Sequence, residues 1–122
     1  MQLHEVINKV NTCTEEFEFS SARKYIESNL SELEEHKHKL NKNAREIFNF
    51  ISDMLQAGYQ PLTRQEIAKV KTINTYASTF NIKGLKMATN DSPKLFIRND
   101  IGNYLNKDAK VILDGWGVLN KD

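Results

Sequence analysis

The side chains that most often act as nucleophiles or metal ligands are few in this sequence: one cysteine, Cys13, and three histidines. His36 and His38 stand two positions apart, and on a helix that spacing puts them on nearly opposite sides. Glu34 and His38 share a helix face but supply only two ligands, whereas a structural zinc site needs about four. The spacing predicts a solvated charged face, so we expect no metal site.

Neither nucleophilic nor acid–base catalysis has a recognisable set of residues. Cys13 lies at the end of the first predicted helix, well separated from His4 along that helix, and no activating sequence surrounds it. The carboxylates cluster at 15–18 and 32–35, on predicted charged helix surfaces rather than in a cleft. The glycines are scattered, so no glycine-rich phosphate loop is present. We predict that the protein is not an enzyme and needs no cofactor.

Three aromatic residues are candidates for contact with a protein partner. Phe17 and Phe19 stand in an acidic strip, and Trp116 stands between two glycines near the C-terminus. Aromatic side chains anchor many protein interfaces, but in a small domain the same rings also complete the core. An exposed apolar patch of several hundred Å² around them would favour a partner. Rings packed back on the helices would favour a structural role.

Positive charge is concentrated in one part of the chain. The net charge is +1, but the segment 63–98 carries mostly basic residues, with only Glu66 and Asp91 against them. Such a segment neutralises phosphates in nucleic-acid-binding proteins, although lysines also keep an ordinary helix surface hydrated. The basic residues of this segment are Arg64, Lys69, Lys71, Lys83, Lys86, Lys94 and Arg98.

These basic residues suggest a winged-helix-like DNA-binding regulator as the alternative function. Residues 62–68 would open its first helix, and a hairpin at 85–98 would form the wing. The motif needs a short turn between its helices, often with Gly, and no Gly or Pro stands between Thr63 and Lys83. Whether residues 63–80 form one helix or a helix-turn-helix stays open, although the apolar spacing favours one helix.

Helix start signals and apolar periodicity predict a mainly α-helical chain. A cap residue followed by Glu three positions later begins at Ser31, Asn43 and Thr63, a spacing that satisfies free backbone N–H groups at a helix start. The segment 44–57 has the widest apolar face, and Gly58 suits the left-handed position that follows a helix.

The predicted fold is a single compact helical domain over residues 1–122, with five or six helices and one small β-hairpin near residues 85–98. The hairpin is predicted because two short extended runs flank a stretch rich in turn residues. Whether residues 20–40 form one helix or two is open, with a break at Ser31 favoured, and we see no internal repeat of fixed period. The predicted core contains Phe48, Ile51, Leu55, Ile67, Val70, Ile73, Phe80, Leu95 and Ile97.

Composition narrows the class of partner. No apolar run is long enough to span a bilayer, and no basic stretch leads into an apolar one at the N-terminus, so we expect neither membrane insertion nor secretion. A single cysteine fits a reducing cytoplasm. By elimination we expect a small non-enzymatic cytoplasmic interaction protein, such as a regulator, adaptor or inhibitor. Its partner would be another protein, with nucleic acid as the alternative, and self-association is compatible with such a domain.

Overall fold

The chain is built almost entirely of helices joined by short turns. The structure, a computed structural model, describes residues 2–119. The helices are α1 (Leu3–Glu15), α2 (Phe19–Ser28), α3 (Leu30–Glu34), α4 (Lys42–Ala57), α5 (Arg64–Ser78), α6 (Ile82–Asp91), α7 (Pro93–Phe96) and α8 (Lys107–Gly115). Short 3-10 turns at Lys37–Lys39 and Ile101–Asn103 precede α4 and α8. The mainly helical prediction is confirmed, but the described range holds eight α-helices rather than five or six.

The predicted β-hairpin at 85–98 is wrong, because no strand occurs in residues 2–119. Most of that segment belongs to α6 and α7. Asn81 caps the start of α6, and Pro93 begins α7, a position where its missing N–H costs nothing. Leu85 and Thr89 are four residues apart and are both buried, which is helical spacing. The turn-rich stretch is therefore a junction between two helices.

Local signals located some helix ends and missed others. The predicted capping box at Thr63 is confirmed: its hydroxyl accepts from the Glu66 N–H at 3.1 Å, and the Glu66 carboxylate accepts from the Thr63 N–H at 2.9 Å. Gly58 ends α4 with a positive φ of 78°. The cap of α4 is Asn41 rather than the predicted Asn43. The predicted division of residues 20–40 is confirmed, although the break comes at Asn29.

One apolar cluster runs through helices from both ends of the chain. Most of the predicted core residues are buried in it. The exceptions are Leu55, Ile67 and Phe80, which are 62%, 39% and 72% exposed. Leu55 lies in the last turn of α4, Ile67 lies near the start of α5, and Phe80 lies beyond the end of α5.

The order of elements is the same in the two parts of the chain. Helices α1, α2 and α3, a 3-10 turn and α4 are followed by α5, α6, α7, a 3-10 turn and α8. Helices α2 and α6 are both 10 residues long and begin sixty-three positions apart. We call residues 3–57 the first repeat and residues 64–119 the second repeat. This correspondence is not a repeat of fixed period, which is the kind of repeat that the sequence expectation excluded.

Short sequence matches mark equivalent turns of the two repeats. Residues 10–17 (VNTCTEEF) align with 73–80 (INTYASTF), and residues 40–44 (LNKNA) align with 105–109 (LNKDA). The spacing between matches grows by two residues from the first pair to the second, so a search for one fixed period misses them. Phe17 and Phe80 are the only described non-glycine residues with positive φ, at 62° and 54°, a rare backbone conformation for a bulky side chain.

The same pair of asparagines ties the last helix of each repeat to its first. Asn41 caps α4, and its N–H and side-chain amide donate to Asn11 Oδ1 and O at 2.8 and 3.2 Å. Asn106 caps α8, and the same groups donate to Asn74 Oδ1 and O at 2.9 and 3.2 Å. The asparagines that form this shared network are among the few identities between the repeats.

Candidate functional site

The two repeats differ in where their third helix packs. Helix α3 packs on α1 and α2, whereas α7 packs on α6 and on α4 of the first repeat. In the first repeat, Val6 is 2% exposed and Cys13 is also buried on the side of α1 that faces α2. The equivalent positions of α5 carry Lys69, which is exposed, and Tyr76, which is half-buried. A groove lies open between α5 and α6 in the second repeat.

Small or flexible side chains line the middle of this α5–α6 groove. Ala68 comes from α5, and Met87 and Ala88 come from α6. Met87 is 62% exposed, and methionine adapts well to partners of different shape. Towards the α5–α6 turn the helices approach closely, since a Cβ at Gly84 would lie 3.0 Å from the Tyr76 ring. The groove has a volume of about 350 Å³, which is enough for a small ligand or a few side chains.

The opposite end of the α5–α6 groove is polar. Lys69 and Asp91 line it, and neither forms an ion pair within residues 2–119. Ser92 also lines it, and its Oγ is the one buried side-chain N or O among the described residues that has no hydrogen-bond partner. A buried hydroxyl without a partner costs about 1–3 kcal/mol, which a bound polar group would recover.

The predicted partner residues Phe17, Phe19 and Trp116 pack on one another. Phe17 stacks on Trp116 with ring centroids 5.9 Å apart, and it meets Phe19 edge-on at 6.1 Å. Phe19 is fully buried and the other two rings are half-buried. They join the end of α8 to the α1–α2 turn and do not form an exposed patch. Phe80, the equivalent of Phe17, is the exposed ring.

Arg98, predicted as a nucleic-acid contact, is buried and paired. Its Nε and Nη2 donate to the two carboxylate oxygens of Asp100, both at 2.9 Å, and its guanidinium lies over the Tyr59 ring. These hydrogen bonds raise the pKa of Arg98 and hold the pKa of Asp100 below its usual range. A guanidinium engaged in this way is not available to a phosphate.

The other basic candidates are exposed on different helices and faces. Lys69 and Lys71 are two positions apart on α5, so their side chains leave the helix on nearly opposite flanks. Lys86 Nζ lies 5.9 Å from the centre of the Trp116 ring. The remaining exposed residues are Arg64, Lys83 and Lys94. The structure does not gather the basic segment into one stripe.

Residues 63–80 contain one helix, α5, and not a helix-turn-helix. It runs without interruption from Arg64 to Ser78, with Val70, Ile73 and Ala77 buried along one side. The in-phase apolar spacing predicted this single helix. The turn inside 63–80 and the hairpin wing that the winged-helix alternative requires are both missing from residues 2–119.

Sequence reasoning missed a buried arginine that joins the two repeats. Arg23 donates through Nη1 to the Ile97 carbonyl and to Asn99 Oδ1, the latter at 3.2 Å, and through Nε to Glu27 at 2.8 Å. It is 9% exposed. Its only sequence signal is the four-residue spacing to Glu27, which looks like an ordinary surface pair. The contacts with the second repeat are what bury it.

The groups considered for catalysis and metal binding remain separate. Burial, followed by the charges of Glu18 and Glu16, raises the pKa of the Cys13 thiol, which disfavours the reactive thiolate. No three His, Cys, Asp or Glu side chains among residues 2–119 are placed to hold a metal ion. None of the described helices combines the length and the apolar character that crossing a bilayer requires.

The comparisons with known proteins add no relative. No family model, curated protein or solved structure matches this chain. The α5–α6 groove is identified as the candidate site by its geometry.

Proposed function

We propose that this protein is a small non-enzymatic interaction protein that binds a partner protein in the α5–α6 groove. One observation carries the proposal: the α5–α6 groove, about 350 Å³ in volume, has an apolar middle and a polar end. It combines the exposed Met87 with the unsatisfied hydroxyl of Ser92. A concave apolar surface with a few polar groups at one end is typical of a binding site.

The size of the groove supports a modest affinity. Burial of a methionine side chain contributes about 1.5–3 kcal/mol, and a new hydrogen bond to Ser92 contributes about 1 kcal/mol more. The ordering of the partner opposes both contributions. Together these contributions correspond to a Kd of about 1 mM or higher, so we expect a weak and readily reversible complex. The proposed environment is a reducing cytoplasm, where a single buried thiol needs no partner.

Selection from a peptide-display library on the immobilised protein tests this function. We expect the selected peptides to lose binding to Ala88→Tyr, which puts into the groove the residue type that Tyr25 supplies in the first repeat. They should keep binding to Leu55→Glu, because Leu55 is as exposed as Met87 but lies on α4, outside the groove. Circular dichroism checks that both variants fold. A selection without binders, or binders that ignore Ala88→Tyr, contradicts the proposal.

The nucleic-acid alternative is supported only by the charge of residues 63–98. A labelled random DNA duplex, titrated by fluorescence anisotropy across a salt series, separates the two functions. We expect little binding at about 100 mM salt, because scattered lysines release few counterions. A log K that falls steeply against log salt would instead support DNA binding.

A further inference from the structure

We infer that the α5–α6 turn (residues 80–83) binds the C-terminal end of a helix from a partner protein, where that helix ends in an aromatic residue, a glycine and an aliphatic residue. The site is separate from the α5–α6 groove, so the inference goes beyond the proposed function. The occupant would contact Phe80 in the way that the end of α8 contacts Phe17 in the α1–α2 turn (residues 17–20).

The two turns have the same backbone hydrogen bonds. The N–H groups of Phe17 and Phe80 each donate to the carbonyl three residues earlier, at 3.3 and 3.2 Å. The N–H groups of Glu18 and Asn81 each donate to the carbonyl five residues earlier, both at 2.8 Å. Both phenylalanines also have positive φ. The two phenylalanine side chains therefore start from the same backbone geometry.

The segment that binds the first turn is the end of a helix. The Val118 N–H donates to the Leu113 carbonyl at 3.0 Å and the Gly117 N–H donates to the Asp114 carbonyl at 3.1 Å. Gly117 has a φ of 82°. These features form the Schellman motif, in which a left-handed glycine ends a helix.

This helix end supplies three different groups to the first repeat. Trp116 stacks on Phe17 with ring centroids 5.9 Å apart. The Gly117 carbonyl accepts from the Ser20 N–H at 3.3 Å. Val118 is fully buried. An aromatic ring, a backbone carbonyl and an aliphatic side chain are thus the groups by which a helix end packs beside such a turn.

The corresponding groups of the second turn have no cover. Residues 17–20 are all buried or half-buried, whereas residues 80–83 are all exposed. Phe80 and Ile82, the two apolar side chains, are 72% and 38% exposed. The Lys83 N–H, at the position that binds α8 in the first turn, donates to no group within residues 2–119. The α5–α6 turn therefore offers both an apolar surface and a hydrogen-bond donor.

Charge complementarity favours the C-terminal end of a helix as the occupant. The last carbonyl groups of a helix have no partner within the helix and carry partial negative charge. Lys83 supplies a positive side chain next to its own N–H, and residues 79–87 contain no acidic residue. A cation near a helix C-terminus stabilises that helix.

The occupant is a partner protein rather than a second copy of this chain. The matching helix end of each copy is already packed, since Trp116 stacks on Phe17 and Val118 is fully buried. A second copy could offer this segment only by losing these contacts. A partner helix with the same ending has no such contacts to lose.

Titration of the ¹⁵N-labelled full chain with a peptide tests the inference by NMR. The probe is an acetylated and amidated peptide with the sequence of residues 106–119, the segment that packs beside the equivalent turn. One control peptide carries Trp116→Ala. The other carries Gly117→Val, which disfavours the positive φ. The Lys83 amide reports on the α5–α6 turn, and the Ser20 amide, already bonded to α8, serves as the reference.

We expect the peptide to shift the Lys83 amide resonance and to leave that of Ser20 unchanged. Each control peptide should bind at least about tenfold more weakly, and Phe80→Ser should raise the Kd by a similar factor, because aromatic anchors carry much of the binding energy of an interface. Leu55→Ser, at a similarly exposed position on α4, should keep binding, as should Ala88→Tyr in the α5–α6 groove. Circular dichroism checks that the three variants fold.

An unshifted Lys83 amide overturns the inference, whether the peptide displaces α8 from Ser20 or binds nowhere. Equal binding of the three peptides overturns it, as does binding that survives Phe80→Ser. Self-association that Phe80→Ser abolishes, measured by analytical ultracentrifugation, would make a second copy the occupant and would also overturn it. None of these outcomes bears on the proposed function, because that function depends on the effect of Ala88→Tyr on library peptides.

Discussion

Phe17 and Phe80 occupy the same turn of the two repeats, with the same rare backbone conformation and opposite surroundings. Phe17 stacks on Trp116 from the end of the chain, whereas Phe80 is largely exposed. The third helices also differ, because α3 packs on α1 and α2 of its own repeat, whereas α7 packs on α6 and on α4 of the first repeat. Similar local structure thus gives one covered ring and one exposed ring, and residues far away in the chain make the difference.

The α5–α6 groove narrows at the place where a large residue of α5 faces a small residue of α6. Tyr76 replaces Cys13 on the first helix of the repeat, and Gly84 replaces Ser21 on the second. The Tyr76 ring lies so close to Gly84 that an added Cβ would need neighbouring side chains to move. The large residue on α5 is therefore matched by a minimal one on α6, which defines the narrow end of the α5–α6 groove.

The strongest test of the comparison uses the equivalent positions Arg23 and Lys86. Arg23→Met removes charged hydrogen bonds that tie the first repeat to Ile97 and Asn99 of the second, so we expect it to lower the free energy of unfolding by about 3 kcal/mol. Lys86→Met removes only an exposed contact with a ring and should cost about 0.5 kcal/mol. Urea unfolding of both variants measures the difference, and equal losses would show that Arg23 does not join the repeats.

Replacement of the turn residues Phe17 and Phe80 by glycine should give the next largest changes in stability, with opposite signs at the two positions. Glycine relieves the left-handed strain at both positions, by about 1 kcal/mol. Phe80→Gly loses little packing, so we expect a small gain in stability, reduced by the flexibility of glycine in the unfolded chain. Phe17→Gly also loses the contacts with Trp116 and Phe19, so we expect a net loss of about 2 kcal/mol. Thermal unfolding followed by circular dichroism measures both, and a shift of the same sign would refute the contrast.

The two asparagine caps should contribute similarly to stability, because they form the same hydrogen bonds in the two repeats. Asn41→Ala and Asn106→Ala each remove a helix cap and the hydrogen bonds to the first helix of the repeat. We expect each to cost about 1–2 kcal/mol of unfolding free energy, and the two costs to agree within about 0.5 kcal/mol. A much larger loss at one site, measured by urea unfolding, would mean that the two networks are not equivalent.

The smallest expected effect is a pH dependence confined to the second repeat. Hydrogen bonds from Arg98 lower the pKa of Asp100 in the folded protein, so the pair stabilises the fold above the usual carboxyl pKa. That contribution is lost as the pH falls through the lowered pKa. Because the Asp100 side chain is 40% exposed, we expect less than about 1 kcal/mol. Asp100→Asn should reduce the loss of unfolding free energy as the pH falls through this range. An unchanged pH dependence would show that the Arg98–Asp100 pair does not cause that loss.

The sequence was informative about elements whose signals are local. The capping box at Thr63, the left-handed Gly58 and the uninterrupted α5 were all predictable, because each depends on residues within about one helical turn. The hairpin prediction failed for a related reason. Short apolar runs near residues 85–98 fit either a strand or a helix, and only contacts with α4 and α5 favour the helix.

The α5–α6 groove was not predictable from the sequence. Its lining residues, such as Ala68 and Met87, look like ordinary helix surface. The repeat gave a faint signal in the paired asparagines and in Phe17 and Phe80, and an alignment of the chain with itself that tolerated a shift of two residues would have found it.

The sequence by itself determined the helical composition, the main turns and several helix ends, since backbone hydrogen bonding and capping act between residues close in the chain. The tertiary structure alone decided that Arg23 is buried, that Phe17 is covered while Phe80 is not, and that α7 packs on α4 of the first repeat. Each of these depends on burial against residues far away in the chain, and burial energy is not encoded by neighbours in sequence.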